Sequence, residues 1–442
     1  MTFKQGLTNA RSHIVFILAL IVAFGLIFAL DGASATLRHA AKSQETDDVI
    51  ARIMVQPLAE RAVLTEQEMG YARTAWRYFE NNTDPTTKLV NATHNYPSTT
   101  VWDSGSYLIA LISAERLKLI DREAFDERMA GALGSLAKLQ LFDGILPNKA
   151  YDVRNLAMAT YNNQPSPRGL GWSALDVARI IVPLTYIAQH YPQHAGAVQG
   201  VTGRWKMSAL VSKGELIGSE VKDDKTVTRQ EGRVGYEQYA AKALLLIGMD
   251  TFQAAQVQRF VEYRSVQGLD IPVDSRRIGN GSPAFATSEP YLLDGLEFGF
   301  DTTSYPLASN MYRAQERRFA ETGHLTAVSE GHMSVAPYFQ YSTVWGGGTP
   351  WAVMNLKGER MDSWRTLSTK AAFAWHALFA TDYTAQLVAS VANLADPQKG
   401  WAEGRYEKDG KPNTSTTCNT NAIVLASLAY RQFGPLMAQN GN

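Results

Sequence analysis

The sequence predicts an all-α fold: an (α/α) toroid of six or seven helical hairpins, preceded by one N-terminal transmembrane or signal helix. Three observations lead to this prediction. A polar, aromatic loop followed by a small-residue helix recurs along the chain, and patterns typical of β-strands are scarce. In addition, an uncharged apolar run covers residues 14–30.

The recurring unit is a loop with carboxylates, aromatics, glycine or proline that leads into a helix rich in Ala, Leu and Ile. Its instances begin at Trp102, Gly171, Glu231, Glu289, Thr366 and Asn419. Helices that are apolar nearly all round, such as 240–247 and 422–430, must be buried on most faces. We expect them to form the inner wall of a ring whose loops line one mouth. An ordinary helical bundle or a solenoid is the alternative.

The N-terminal apolar run is long enough to approach the span of a bilayer. Lys4 and Arg11 precede it, which places the N-terminus in the cytoplasm and the rest of the chain outside. The small-residue motif Ala33-Ser34-Ala35 makes a cleaved signal peptide the alternative. We therefore predict a membrane anchor or signal segment at 1–35, a helical stalk at 36–60 and a barrel domain at 61–442. The body is expected in the periplasm, either anchored to the inner membrane or secreted.

Composition narrows the classes of partner. Lysine plus arginine and aspartate plus glutamate both number 42, so the formal net charge is zero and nothing indicates nucleic-acid binding. A neutral polysaccharide or oligosaccharide fits this balance better than an acidic ligand. Cys418 is the single cysteine, so no intrachain disulfide can form. The histidines show no HExxH spacing, and we predict neither a metal nor a cofactor.

The loops place many carboxylates at helix starts, where negative charge is favoured in any protein. A helix cap is therefore the ordinary explanation for each of them. Glycoside cleavage requires two carboxyl groups, one as proton donor and one as nucleophile or base. Glu237 precedes an apolar helix, where burial would help it keep a proton, and Glu330 lies in a polar loop. We predict Glu237 as the acid and Glu330 as the base.

Aromatic and polar side chains of the same loops are suited to saccharides, because the C–H faces of sugar rings pack on aromatic faces. Some of these side chains can equally be core anchors or helix caps. The predicted substrate-binding residues are Trp102, Asp103, Trp172, Asp176, Glu231, Tyr236, Glu289, Asp294, Tyr341, Trp401, Glu403 and Asn421.

At these motifs the chain resembles a bacterial family known as domain of unknown function 3131. The matching stretches are 100–110, 171–179, 230–240, 288–299, 325–341, 368–375 and 400–428, in order along the body. The resemblance implies an exported or anchored protein with an (α/α) barrel.

A more distant similarity links the chain to the glycoamylase-like domains of endo-β-1,2-glucanases and cyclic β-1,2-glucan synthases. Tyr236-Glu237 before an apolar helix is similar to their Asn-Glu segment. The loop 325–330 is similar to their Leu-Thr-Ala-Ser-Asp loop, with Glu330 in place of the aspartate. The resemblance implies a carbohydrate-active site at these loops.

We therefore expect an envelope glycoside hydrolase or transglycosylase that acts on a neutral glucan-like polysaccharide with two carboxylates. The alternative is a non-catalytic saccharide-binding subunit of a polysaccharide synthesis or export machine. The N-terminal helix would connect either protein to the inner membrane.

Overall fold

The computed structural model of the protein describes residues 17, 20–22, 24, 41–277 and 284–438. The chain divides into two compact units, Met1–Arg52 and Ile53–Asn442. In the first unit, residues 41–52 are helical. The predicted anchor or signal segment lies almost entirely outside the described residues, and Ala33-Ser34-Ala35 lies wholly outside them. None of the helices in the described part combines the length and the apolar character that crossing a membrane requires.

Six inner helices of the second unit form a closed ring. In chain order they are α2 (Val101–Arg116), α4 (Ala174–His190), α6 (Tyr236–Leu245), α8 (Glu289–Leu293), α10 (Thr369–Phe379) and α12 (Cys418–Phe433). Each packs against the next, and α12 packs against α2. A π-helix, Asp294–Phe298, extends α8. The described part of the chain therefore contains six hairpins, within the predicted range of six or seven.

The outer helices alternate with the inner ones along the chain. They are α1 (Glu66–Asn82), α3 (Arg122–Leu136), α5 (Pro192–Thr202), α7 (Phe252–Ala255), α9 (Ser304–Thr322) and α11 (Asp382–Val391). From α3 to α11, each outer helix lies between two inner helices along the chain and returns it to the end where the next inner helix begins. The N-termini of all the inner helices therefore lie at the same end, and their loops form the mouth.

Local sequence explains where the inner helices begin and how closely they approach. Thr100, Ser173, Ser368 and Thr417 cap α2, α4, α10 and α12, each accepting a backbone N–H three residues further on. A Cβ atom at Gly105 would lie 3.0 Å from the Cα of Ile180, so α2 and α4 approach more closely than a larger residue allows. Small inner-face residues thus set the spacing of the ring.

The prediction of an all-α fold was wrong in one respect: short antiparallel strands occupy the loops. The longest hairpins join β6 (Glu215–Lys222) to β7 (Lys225–Gln230) and β8 (Val261–Val266) to β9 (Leu269–Asp274). The turn residues of both hairpins have positive φ angles, at Asp223 and Asp224 and at Gln267 and Gly268. Turns of that type match the twist of paired strands. Asp-Asp and Gln-Gly signal them more weakly than Asn-Gly does, which is why sequence pattern missed the hairpins.

The remaining strands are shorter and also lie between helices. They are β1 (Ser98–Thr100), β2 (Leu141–Phe142), β3 (Leu146–Pro147), β4 (Ala150–Asp152), β5 (Val211–Ser212), β10 (Glu330–His332), β11 (Phe339–Ser342), β12 (Trp345–Gly346), β13 (Thr349–Pro350), β14 (Val353–Met354), β15 (Thr366–Ser368), β16 (Ala395–Asp396), β17 (Gly400–Tyr406) and β18 (Pro412–Thr416). β10, β11 and β14 form one sheet, and β17 pairs with β15, β16 and β18. These two sheets border the mouth.

The other end of the barrel is crossed by an extended segment. The backbone N–H of Ala59 donates to the carbonyl of Leu378 (2.7 Å), and that of Ala62 donates to the carbonyl of Arg431 (2.9 Å). Both acceptors lie near the C-terminal ends of inner helices, so this segment lies opposite the mouth.

Candidate active site

Four inner helices and one strand bring charged groups together at the mouth. Asp103 and Asp176 lie in the first turns of α2 and α4, Glu289 begins α8, and Lys370 is the second residue of α10. Glu330 begins β10, and the preceding segment is held against α10, whose capping residue Ser368 donates its N–H to the carbonyl of Ala327 (2.8 Å). The closed ring thus brings together residues that are distant in sequence.

Glu289 is the most buried carboxylate of this cluster, with no exposed surface. Its Oε2 accepts hydrogen bonds from Lys370 Nζ and from Ser329 Oγ (3.3 Å), and its Oε1 accepts one from Asn419 Nδ2 (2.7 Å). Burial alone would lower the pKa of Lys370, but the carboxylates of Glu289, Glu403 and Glu330 outweigh it and raise that pKa. The Lys370–Glu289 pair is therefore charged and fixed.

Glu330 has a different environment beside that pair. Its strand position is opposite Tyr341 of β11. Within the described residues its Oε2 is buried without a hydrogen-bond partner, and so is the hydroxyl of Tyr236, which faces the carboxyl without reaching hydrogen-bond geometry. Burial, together with the negative charge of Glu289, raises the pKa of Glu330 to about 8. Glu330 therefore carries a proton at neutral pH.

The opposite wall of the mouth carries a second pair of carboxyl groups. Glu231 caps α4 by accepting from the N–H of Ala174 (2.5 Å) and from Ser173 Oγ (2.8 Å). Asp176 accepts a weaker hydrogen bond from the same hydroxyl (3.1 Å). Burial, together with the charge of Glu231, raises the pKa of Asp176 to about 7, while Lys149 acts in the opposite sense. Asp176 therefore titrates close to neutral pH.

Asp103, His332 and Glu403 complete the ring of titratable groups. Asp103 Oδ2 accepts from Thr100 Oγ1 (2.6 Å), and burial raises its pKa. Burial lowers the pKa of His332, although the neighbouring Asp103 raises it. Glu403 accepts from Thr417 and Thr420, and burial raises its pKa as well.

A buried polar layer closes the barrel beneath these groups. Arg179 of α4 is paired with Glu297, which follows α8, and both contact the hydroxyl of Tyr239 on α6. The guanidinium of Arg179 also lies over the ring of Trp102, 5.6 Å from its centroid. Trp102 in turn packs edge-on against Tyr236 at 5.9 Å. Trp102 therefore lies between Tyr236 at the mouth and this buried polar layer.

The predicted catalytic pair is not brought together. The carboxylate of Glu237 accepts from Gln230 Nε2 (3.0 Å) and from Arg276 Nη2 (2.5 Å), and Arg276 also pairs with Asp274. Burial raises the pKa of Glu237 and Arg276 lowers it. Glu330 has other neighbours, Glu289 and Lys370 among them. Glu237 thus belongs to a buried ion-pair cluster in the wall.

Of the predicted binding residues, Trp102, Asp103, Asp176, Glu231, Tyr236, Glu289, Tyr341 and Glu403 lie in or beside the mouth cluster. The other four make hydrogen bonds or an ion pair within the wall of the barrel. Trp172 and Trp401 are buried, and their ring N–H groups donate to the carbonyls of Ile217 and Tyr71. Asn421 is buried and bonds to the backbone of Trp401, and Asp294 pairs with Lys242 (2.6 Å). All four placements differ from the predicted contact with substrate.

Sequence reasoning did not single out Lys370 as a functional residue. A lysine in the first turn of a helix opposes the helix dipole. Such a position needs a compensating carboxylate, and Glu289 provides it. The position of Lys370 at a helix start could therefore have indicated, from sequence alone, a nearby buried carboxylate.

The profile of the family described as "Protein of unknown function (DUF3131)" matches residues 70–434. No curated protein matches the chain by sequence. Solved structures share its fold. The endo-β-1,2-glucanase from Chitinophaga pinensis, in complex with sophorotriose and glucose, aligns with a TM-score of 0.61 and 12% identity, over 85% of this chain and 94% of that one.

Two further structures align in the same way. A protein from Bacteroides caccae, provisionally assigned as a glucoamylase, gives a TM-score of 0.60 at 13% identity, over 84% of this chain and 94% of that one. An endo-β-1,2-glucanase from Talaromyces funiculosus with bound sophorose gives 0.57 at 11% identity, over 84% of each chain. These likenesses show the fold: a glucoamylase-like helical toroid with strands in its loops.

Proposed function

The chain belongs to the DUF3131 family, and from this membership and the geometry of the mouth we propose that it is a glycoside hydrolase or transglycosylase that acts on a neutral glucan. The observation that carries the proposal is Glu330: a buried carboxyl with an unpartnered oxygen and a pKa of about 8, within a ring of other carboxylates. A protonated acid next to ionised carboxylates is the arrangement that cleavage of a glycosidic bond requires.

Glu330 is the general acid in this proposal. Its proton is available at neutral pH, and its Oε2 makes no hydrogen bond within the described residues. In the reaction it donates that proton to the glycosidic oxygen as the bond from this oxygen to C1 of the sugar breaks. The adjacent Lys370–Glu289 pair positions this group, because its charges are fixed by hydrogen bonds.

Asp176 is the proposed base. It lies on α4, which is opposite α10 in the ring, whereas the strand of Glu330 lies on the α10 side. This placement on opposite sides of the mouth favours the wider separation of about 6.5–9.5 Å at which inverting enzymes hold a water molecule beside the sugar. Asp176 would take a proton from water while the oxygen of that water attacks C1. A sugar hydroxyl in place of water would give transglycosylation.

The assignment of roles differs from the one drawn from sequence. There Glu237 was the acid and Glu330 the base. The raised pKa of Glu330 supports the acid role for it, and the ion pair with Arg276 supports a structural role for Glu237.

The proposed substrate is a neutral glucan, with a β-1,2-linked chain as the first candidate. The mouth carries more carboxylates than cations, which disfavours a polyanionic polymer. Trp102, Tyr236 and Tyr341 offer aromatic surfaces for sugar rings. Two of the structurally similar proteins are named as endo-β-1,2-glucanases. Placement in the bacterial envelope, with the N-terminal segment as anchor or signal, remains part of the proposal.

The test measures release of reducing ends from linear β-1,2-glucan and from a panel of other neutral glucans. We expect the unmodified protein to release them, and Glu330→Gln to lower the rate by about 10²–10⁴-fold while binding is retained. Glu80→Gln on the outer helix α1 is the matched control and should behave like the unmodified protein. Binding without release by the unmodified protein would instead support the saccharide-binding subunit.

A further inference from the structure

The hairpin of β10 and β11 carries the proposed acid together with other side chains on one of its faces. Glu330 is paired with Tyr341, and His332, one step nearer the hairpin turn, is paired with Phe339. Side chains alternate between the two faces of a strand, and directly opposed residues of paired strands lie on the same face. These four side chains therefore share one surface, the acid face of the hairpin.

Burial distinguishes the acid face from the other face of the hairpin. On the other face, Gly331, Gln340 and Ser342 are buried. Gln340 Nε2 donates to Thr366 Oγ1 (2.6 Å), and Ser342 Oγ donates to Gln340 Oε1 (3.0 Å). All four residues of the acid face keep some exposed surface, although the Oε2 atom of Glu330 is itself enclosed. The acid face is thus the open side of the hairpin.

Aromatic rings form a continuous row on this face. The rings of Phe339 and Tyr341 pack edge to face with their centroids 5.2 Å apart, and Phe285 packs on Tyr341 at 4.2 Å. The imidazole of His332 packs edge to face against Phe339, also at 5.2 Å. The row begins at Tyr341, directly opposite Glu330, and continues along the strand toward the hairpin turn.

Hydrogen bonds hold the hairpin in place. The N–H of Ser334 donates to Asn413 Oδ1 (3.0 Å), and Asn413 Nδ2 donates to the carbonyl of His332 (2.7 Å). Asn413 is itself buried in β18. The N–H of Met333 donates to the carbonyl of Tyr338 (2.9 Å), which closes the turn. A surface fixed in this way loses little conformational freedom when it binds a ligand.

We propose that the acid face is a row of subsites for a glucan chain, so that the substrate is a chain of several sugar residues that extends from the mouth along the hairpin. This inference rests on the proposed function. The sugar next to the cleaved bond lies against Tyr341, and the following sugar lies against Phe339. The imidazole of His332, beside Phe339, offers its ring nitrogens to the hydroxyls of that second sugar.

The continuity of the acid face with the mouth identifies the occupant. A polymer that places one glycosidic bond at Glu330 must continue over the neighbouring surface, and the open aromatic surface beside Glu330 is the ring of Tyr341. None of the four residues of the acid face is a lysine or an arginine, which disfavours a polyanionic chain. Each further sugar that covers a ring buries apolar surface, so affinity should grow with chain length until the row is filled.

The experiment measures kcat and KM on linear β-1,2-linked oligosaccharides of increasing length. We expect kcat/KM of the unmodified protein to rise with length. Phe339→Ala should raise KM for the longest chains about tenfold, a difference equivalent to about 1.4 kcal/mol, and leave kcat and KM for the shortest cleaved chain unchanged. Phe339→Trp keeps an aromatic ring and should keep the dependence on length. The matched control is Phe252→Ala, which removes an exposed ring from the outer helix α7 and should change nothing.

A binding measurement makes the test independent of turnover. In titration calorimetry the affinity of Glu330→Gln should rise with chain length, and adding Phe339→Ala should remove most of that rise. Affinity that does not depend on length, or unchanged KM of Phe339→Ala on long chains, overturns the inference and leaves the proposed function intact. Equal losses on the shortest and longest chains would show that Phe339 only supports the fold, and they also overturn it. Failure of the unmodified protein to cleave or bind any of the chains overturns both proposals.

Discussion

Two clusters of buried carboxylates differ in how completely their charge is compensated. In the wall near α6, Glu237 and Asp274 share the guanidinium of Arg276, and Glu237 also accepts from Gln230. At the mouth, Glu330 has an oxygen without a partner among the described residues.

The difference teaches that burial alone does not identify a catalytic acid. Burial raises the pKa of both Glu237 and Glu330. Arg276, bonded to Glu237, opposes the shift of the first, whereas beside Glu330 the charge of Glu289 raises the pKa more than that of Lys370 lowers it. A fully paired carboxylate stabilises the wall, and an uncompensated one is available to donate a proton. The predictions below test this distinction.

The largest effect is expected for Asp176→Asn. The amide has the same shape but cannot accept a proton from water, so we expect kcat on linear β-1,2-glucan to fall by about 10²–10⁴-fold with little change in binding. Reducing-end release and titration calorimetry measure the two quantities. Asn substitution of Asp274, which lies in the wall cluster, should leave kcat within a few-fold for the folded protein. Equal losses of kcat in the two variants would contradict the distinction.

The next effect concerns stability. Arg276→Met leaves Glu237 and Asp274 buried without their shared cation, and we expect it to lower the free energy of unfolding by about 3 kcal/mol. Chemical denaturation measures the loss. The control is Arg264→Met, which removes an exposed pair with Glu262 and should cost no more than about 1 kcal/mol. Similar values for the two variants would show that the wall cluster does not stabilise the fold.

Much of the fold could be predicted because the inner helices have a distinctive composition. Small residues such as Gly105 are required where α2 meets α4, and hydroxyl caps such as Thr100 mark the helix starts. The hairpins were missed because their strands gain stability from backbone pairing and weakly coded turns, for example at Asp223 and Asp224. Local sequence pattern shows the composition and caps of helices more clearly than it shows the pairing of strands and their turns.

The site was predicted less completely because partners distant in sequence decide the role of each carboxylate. The positions of Asp103, Asp176, Glu289 and Glu330 near helix starts or in loops placed them at the mouth. Sequence could not show that Arg276 neutralises Glu237. Only the closed ring reveals which carboxylates share a bonded cation, as Glu237 does, and which keep an oxygen without a hydrogen bond, as Glu330 does.

The pH dependence of activity distinguishes the proposed role of Glu330 from the base role drawn from sequence. As an acid with a pKa of about 8, Glu330 must be protonated, so activity falls as pH rises above that value. Asp176 must be ionised, so activity falls below its pKa of about 7. We expect a bell-shaped profile of kcat/KM with a maximum between these values and about tenfold loss per pH unit outside them. Activity that keeps rising above pH 8 would support the base role instead.

The last prediction is a pH-dependent stability difference between Glu330→Gln and the unmodified protein. In the folded chain Glu330, surrounded by Glu289, Lys370, Tyr236 and Tyr341, has its pKa raised from 4.5 to about 8. Between these values the folded state holds a proton that the unfolded state has released, so this group's contribution to stability falls as pH rises. The contribution should fall by about 1.4 kcal/mol per pH unit and be absent from Glu330→Gln. Parallel stability curves of the two proteins in chemical denaturation would mean that the fold does not raise the pKa of Glu330.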